Sequence, residues 1–404
     1  MKWKQIVALL LILLIALTTM ACEKQPTYDT SPEFNPETDH QYFHMDANLT
    51  ELAETETGYY YLTGHGSGFL RYIEKETMQD IALCNKPNCI IHEGGKYSDE
   101  EEETCNAFFR TSWGHIFYYE GYLYCLENDT TYDTEFSDTY TLTRISLDGT
   151  ERKPIWVVDV NEASTEEVIE FSSIHMYILH RGVFYILINQ TLYAYSLETE
   201  KVTKLRTFKD AEDFQRITAV GDYVFLSCYD EERNFYMFRY TVSKKEWNEY
   251  PETWFYKNGV WWTEDLEEES FNLNIATIER EIKRTIPLSS LVVTAVSEEY
   301  LITTEPSRRV WNGKEITWEE FYELPQEDQY KAGWTTREKF QIYDIETLEL
   351  LGTVPYLDIG FPLFAEDRIL FFVSESGKES MKYIEISDLG EGKALQWQTV
   401  ERVN

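Results

Sequence analysis

One short phrase recurs along this chain and constrains its fold more than any other feature. It consists of an apolar residue, a small polar or acidic one, usually a second apolar residue, an acidic or small residue, and then most often Thr, Gly or Lys. Copies stand at Ile73-Glu74-Lys75-Glu76-Thr77, Ile145-Ser146-Leu147-Asp148-Gly149, Tyr195-Ser196-Leu197-Glu198-Thr199, Tyr240-Thr241-Val242-Ser243-Lys244, Tyr343-Asp344-Ile345-Glu346-Thr347 and Ile384-Glu385-Ile386-Ser387-Asp388. Alternating apolar residues keep one face of a strand on a core, and the acidic and small residues after them tolerate turn conformations. The phrase therefore reads as a strand entering a tight turn. The gap between the copies at 240 and 343 is close to two repeats, so a degenerate seventh copy is expected near Asn274 to Glu279. The mean spacing, roughly 52 residues, is the size of a four-stranded propeller blade.

A second phrase precedes most copies, a strand that follows a glycine or charged turn. It reads Gly121-Tyr122-Leu123-Tyr124, Gly182-Val183-Phe184-Tyr185, Gly221-Asp222-Tyr223-Val224-Phe225, Gly259-Val260-Trp261-Trp262 and Glu366-Asp367-Arg368-Ile369-Leu370-Phe371. Aromatic residues make up 15% of the chain, and such residues suit pleated, half-buried strands. Two strand types in fixed order point to an all-β chain forming a β-propeller of seven four-stranded blades, with six or eight still open. A pair of β-sandwiches would not keep one phrase at one spacing, and the period is too long for a solenoid coil. The last blade shows three strands, near 369–373, 381–386 and 394–400, so a fourth is expected from the segment around residues 41–53. Inserts are expected at 84–112 and at 312–334, where Trp318, Phe321 and Tyr322 have the spacing of a short amphipathic helix.

Lys2 and Lys4 precede an unbroken apolar run from Ile6 to Leu17, too short to span a bilayer, and Thr18 to Cys22 follow it. That is a secretory signal over 1–21. It resembles the lipobox of bacterial lipoproteins, although Thr19 stands where leucine is usual. The resemblance implies cleavage before Cys22, lipidation of its thiol, and extracytoplasmic anchoring to the membrane. Pro26, Pro32 and Pro36 among polar residues make 22–44 a flexible tether, leaving 45–404 as the propeller domain. There are 72 acidic against 36 basic residues, for a formal charge of −36, and so anionic a surface repels nucleic acid.

The first insert contains Cys84, Cys89, His92 and Cys105, a C-x4-C-x2-H-x12-C pattern. Three thiols and an imidazole could hold zinc tetrahedrally, two of the thiols could form a disulfide in a secreted protein, or all three could stay reduced. The run from Tyr72 through Cys84, Cys89, His92 and Cys105-Asn106-Ala107 resembles the opening of a group of extracytoplasmic lipoproteins of Gram-positive anaerobes. Those proteins are similar in turn to TolB-like and related propeller domains. The resemblance implies a propeller at the cell surface and brings no catalytic residues.

Motifs for chemistry are sparse. HExxH, P-loop and GxSxG patterns are missing from the sequence, and Gly64-His65-Gly66-Ser67-Gly68 reads as a hairpin turn. The acidic runs 99–103 and 264–269 read as solvated loops, with weak calcium binding as the alternative. Trp261 and Trp262 adjoin on a strand and should point to opposite faces, so at least one is expected in the core; where exposed, they and Trp318 are candidates for stacking on sugar. These features describe a ligand-binding or scaffolding module for a carbohydrate or an envelope protein. A glycosidase-like enzyme using carboxylates in the propeller channel is the alternative.

Overall fold

The computed structural model describes residues 31, 35, 38–39 and 52–403, apart from 64–66, 94–96, 112–114, 129–138, 160–175, 210, 212, 231, 233, 251–254, 258–259, 268–269, 277–280, 290, 298, 306, 336, 358–361 and 376–377. The signal segment and Cys22 lie outside the described residues. Among the described residues seven mainly antiparallel sheets follow one another along the chain, each with at least four strands, and a small three-stranded sheet accompanies them. The third sheet is the simplest: Tyr177–His180, Val183–Ile188, Thr191–Ser196 and Val202–Thr207, paired in chain order. The second sheet (Phe117–Tyr119 to Arg152–Asp159), the fourth (Asp213–Val220 to Glu246–Tyr250) and the fifth (Phe255–Lys257 to Ile282–Ser289) repeat this order. Successive four-stranded meanders of this kind form a β-propeller.

Both phrases fall where their chemistry requires. The first closes the third strand of a sheet and turns into the fourth. Four copies are followed at once by a residue in the left-handed region: Met78, Glu200, Lys245 and Leu348, with φ between 52° and 59°. The copy at Ile145 uses Gly149 instead, at φ 70°. In the Tyr343 copy, the amide of Leu348 donates to the carbonyl of Asp344 at 2.9 Å, and the Asp344 carboxylate accepts from the amide and hydroxyl of Thr347 at 2.7 and 2.8 Å. That is why an acidic residue and a threonine stand three apart. The second phrase opens the second strand. Tyr119 pairs Tyr122 and His180 pairs Val183, so Glu120-Gly121 and Arg181-Gly182 are two-residue turns with positive φ at both positions, the geometry that matches strand twist. Asn274 to Ala276 of the degenerate copy end the third strand of the fifth sheet, Ser270–Ala276, and 277–279 lie outside the described residues.

Buried apolar clusters run across sheet boundaries. One joins the second, third and fourth sheets around Phe117, Tyr177, Phe184 and Tyr195, another the fifth and sixth through Leu273 and Val296, and a third the sixth and seventh through Phe340 and Phe371. Tyr59, Tyr61, Leu370 and Tyr383 pack the seventh sheet against the first. Gly58, on the second strand of the first sheet, has no room for a side chain: a Cβ there would lie 2.3 Å from the Ile73 carbonyl and 2.4 Å from the Tyr72 ring. Gly58→Ala is expected to cost about 1–3 kcal/mol of unfolding free energy through overpacking, read by denaturant titration. An unchanged midpoint would mean that the strand yields.

Ring closure differs from the expectation. The seventh sheet has four strands of its own, Pro362–Phe364, Arg368–Glu375, Lys378–Glu385 and Gln398–Thr399, and among the described residues it borrows none from the N-terminal segment, of which 41–51 lie outside them. Ala53–Glu54 instead forms the edge of the first sheet beside Gly58–Leu62. Closure comes from the other chain end, where Glu401–Val403 pairs in parallel with Gln79–Ala82 as the far edge strand of the first sheet. Just upstream, Lys393–Ala394 pairs in parallel with the sixth sheet, so the last residues stitch three sheets together. A short, late strand suffices because the first and seventh sheets already share a core.

The expected amphipathic helix is present as Trp318–Glu323, with Thr317 and Glu320 capping it reciprocally. Phe321 is buried and Tyr322 exposed.

A candidate metal centre in the first insert

The chain leaves the fourth strand of the first sheet at Ala82 and returns along the third, where Phe108–Arg110 pairs with Ser67–Phe69. Between them it folds into a compact knot. Cys84 and Cys89 bracket a turn whose Asn88 has φ 59°, and the 3-10 turn Ile91–Glu93 presents His92. A short helix, Asp99–Glu102, delivers Cys105, whose amide donates to the Glu102 carbonyl at 2.9 Å. Asn106 bonds to Asn85, and Lys86 to the Thr104 carbonyl, so the two cysteine-bearing loops are held side by side. Phe69, Phe108 and Ile91 pack beneath the thiols.

This fold gathers all four residues of the sequence pattern. The ligand atoms of Cys84, Cys89, His92 and Cys105 lie within 4.8 Å of one another, and Cys105 Sγ is 3.7 Å from His92 Nδ1. Metal–ligand lengths of about 2.0–2.3 Å in a tetrahedron put neighbouring ligand atoms roughly 3.6 Å apart. The thiols are not bonded to one another. Among the described residues this is the one group of three or more metal-ligating side chains.

The electrostatics fit a cation. Burial raises the pKa of Cys84, but the amides of Lys86 and Asn106 and the neighbouring thiols bring it below the usual thiol value. Cys105 is pushed up to about 12, first by burial and then by Cys84 and Cys89. Three adjacent thiols cannot all ionise without a positive charge among them. Burial and the positive Arg71 hold His92 below the usual histidine pKa, so its ring is neutral near pH 7, as a ligand must be.

The other candidates are not brought to this centre. Trp261 and Trp262 lie on the second strand of the fifth sheet, paired with Ala276 and Ile275, and Trp318 opens the insert helix; their side chains lie outside the described residues.

A second polar constellation escaped sequence reasoning. Asp39, inside the stretch read as a tether, is 1% exposed. Its carboxylate accepts from Arg181 Nε and Nη2 at 2.7 and 2.8 Å and from the Gly221 amide at 2.9 Å. An aspartate in a proline-rich polar stretch gives no local sign of a partner so far along the chain.

No family model and no curated protein sequence matches the chain. Among solved structures it is similar to prolyl endopeptidases, at 11% identity and a TM-score of 0.44 over 86% of this chain and 49% of that one, so it spans about half their length. It is also similar to the β-propeller domain of the trilobed protease from Pyrococcus furiosus, at 11% identity and a TM-score of 0.39, covering 67% and 81% of the two chains.

Proposed function

We propose that the chain is a membrane-anchored extracytoplasmic lipoprotein whose seven sheets are the blades of a binding or scaffolding propeller, with zinc stapling its first blade. One observation carries the non-catalytic reading. The metal centre offers four protein ligands in an insert beyond the fourth strand of the first sheet, and a four-ligand set leaves no position for water or substrate, as catalytic zinc requires. The metal is structural on this reading, and recognition falls to the loops that the sheets position. The signal and Cys22 support the anchor.

Growth with labelled palmitate tests the anchor. Label is expected in the wild-type protein and not in Cys22→Ala, which should be released from the membrane. An unlabelled wild type ends the lipoprotein reading. For the propeller, a thermal-shift panel of oligosaccharides and cell-wall fragments, with cross-linking in the native envelope, identifies the ligand class; a ligand at 100 times its Kd stabilises by about 2.7 kcal/mol. Release of sugar from a polysaccharide would overturn the scaffolding role in favour of an enzyme.

A further inference from the structure

We propose that Ser31, Asn35, Thr38 and Asp39 belong to a docked strap, keyed by the Asp39 carboxylate into a socket on the propeller, which holds one face toward the membrane and turns the other outward. The orientation rests on the reading of Cys22 as the lipid anchor.

The socket is built. Two adjacent tight turns form it, one joining the first and second strands of the third sheet (His180 to Gly182), the other doing so in the fourth (Gly221, Asp222). Arg181 occupies the left-handed region at φ 47°, which costs an arginine conformational energy that glycine would not pay, and its guanidinium grips Asp39 with both forks. Its remaining Nη1 donates to the Ser31 carbonyl at 2.9 Å. His180 Nε2 donates to the Gly221 carbonyl at 2.8 Å, and its Nδ1 lies 3.6 Å from Asp39 Oδ1. The Asn35 amide and Thr38 hydroxyl complete the carboxylate's shell at 3.0 and 3.1 Å. Five donors saturate this buried carboxylate. Burial alone would raise its pKa, but Arg181, His180 and the two amides bring it below the usual range. Thr38 shares the lining of a small cavity with the first strands of three sheets, at Leu52 to Glu54, Ile116 to Tyr119, and Leu179.

The position of the socket sets the orientation. Within each meander, the first–second and third–fourth turns share one end of the sheet, and the second–third turns and inter-sheet connections share the other. Asp39 docks at the first of these ends. Both long inserts leave from the second: the metal-site insert follows a fourth strand, and the helix-bearing insert joins the second and third strands of the sixth sheet, Tyr300–Thr304 and Lys339–Asp344. A cleft of about 390 Å³ lined by Arg206, Phe208, Lys209, Asp230, Tyr236 and Glu249 opens at that same end, between the third and fourth sheets. Ser31 lies nine positions beyond Cys22, a reach of roughly 30 Å when extended. An undocked chain running to Leu52 would reach roughly 100 Å.

Two readouts on the full-length lipidated protein test this, with Asp39→Ala and the near-isosteric Asp39→Asn. Hydrogen exchange at the Gly221 amide, also measured in unlipidated Cys22→Ala, is expected to speed up by more than about tenfold in both Asp39 variants. Equal exchange would overturn docking. Neutron reflectometry on a supported phosphatidylglycerol–phosphatidylcholine bilayer should place the near edge of the wild-type layer within about 30 Å of the headgroups. In Asp39→Asn the layer should stand further out and broaden; an unchanged profile overturns the orientation. If the wild type is not retained on the bilayer, the anchor reading fails and the orientation with it, while the exchange result still decides docking.

Discussion

Asp80→Ala is expected to lower unfolding free energy by about 3–5 kcal/mol, the range for breaking a buried ion pair by removing one partner. Asp80 is 5% exposed and Arg71, on the neighbouring strand, 1%. Arg71 Nε donates to Asp80 Oδ1 at 2.8 Å, the Tyr61 hydroxyl donates to Oδ2 at 2.8 Å, and Arg402 from the closing strand reaches the same oxygen at 3.4 Å. Without the carboxylate, a guanidinium remains buried with its charge uncompensated and the closing strand loses its ionic hold. Denaturant unfolding of the wild type, Asp80→Ala and Arg402→Ala checks this. Arg402 is one-third exposed, so its loss should cost much less. A loss below about 1 kcal/mol for Asp80→Ala would show that the network does not secure the ring.

Removing the metal should have the second large effect, felt beyond the insert. The protein as purified is expected to carry one zinc per chain, and a chelator or Cys89→Ala should abolish it. Structural zinc in small domains is worth about 10–16 kcal/mol of apparent binding free energy. Here the insert sits on a propeller with its own core, so the sheets should persist while the insert opens. Arg71 links the two regions, because its Nη1 donates to the His92 carbonyl at 3.3 Å. Metal loss should therefore raise hydrogen exchange at Leu83 and Phe108, and also along Glu401–Val403. Elemental analysis and exchange mass spectrometry read both effects. A Cys–Cys linkage in the non-reduced protein, or thiols without metal, would replace zinc with one of the other two chemistries the spacing allows.

The strand-and-turn grammar was legible because its causes are local. Thr347 follows Asp344 by three residues because the aspartate accepts its amide and hydroxyl, and Gly182 follows Arg181 because a two-residue hairpin turn needs positive φ. The insert helix followed from Trp318, Phe321 and Tyr322 in the same way. The four-residue metal pattern was legible as a set, since its members lie within one connection. Its chemistry was not, because C-x4-C-x2-H-x12-C fits bonded, metal-bound and reduced thiols alike until the side chains are placed.

Ring closure was misread for a physical reason. Runs near 369–373, 381–386 and 394–400 read as three strands of the last repeat, and the fourth was assigned to the N-terminal segment. The strand left unread is the first, Pro362–Phe364, whose three buried residues are too few to show an alternation, whereas the exposed Gln398–Thr399 lies inside the expected 394–400. Glu401–Val403 is likewise exposed, and backbone pairing gives it its place.

By itself the sequence determined the all-β class, the order of strands within each repeat and the turns between them, since each depends on residues a few positions apart. Only the tertiary structure decided which distant groups meet: Asp39 with Arg181, 142 residues on, and Asp80 with Arg402, 322 residues on. Those pairings arise when packed sheets bring together side chains that lie far apart along the chain and exclude water from between them. No periodicity or propensity encodes that meeting.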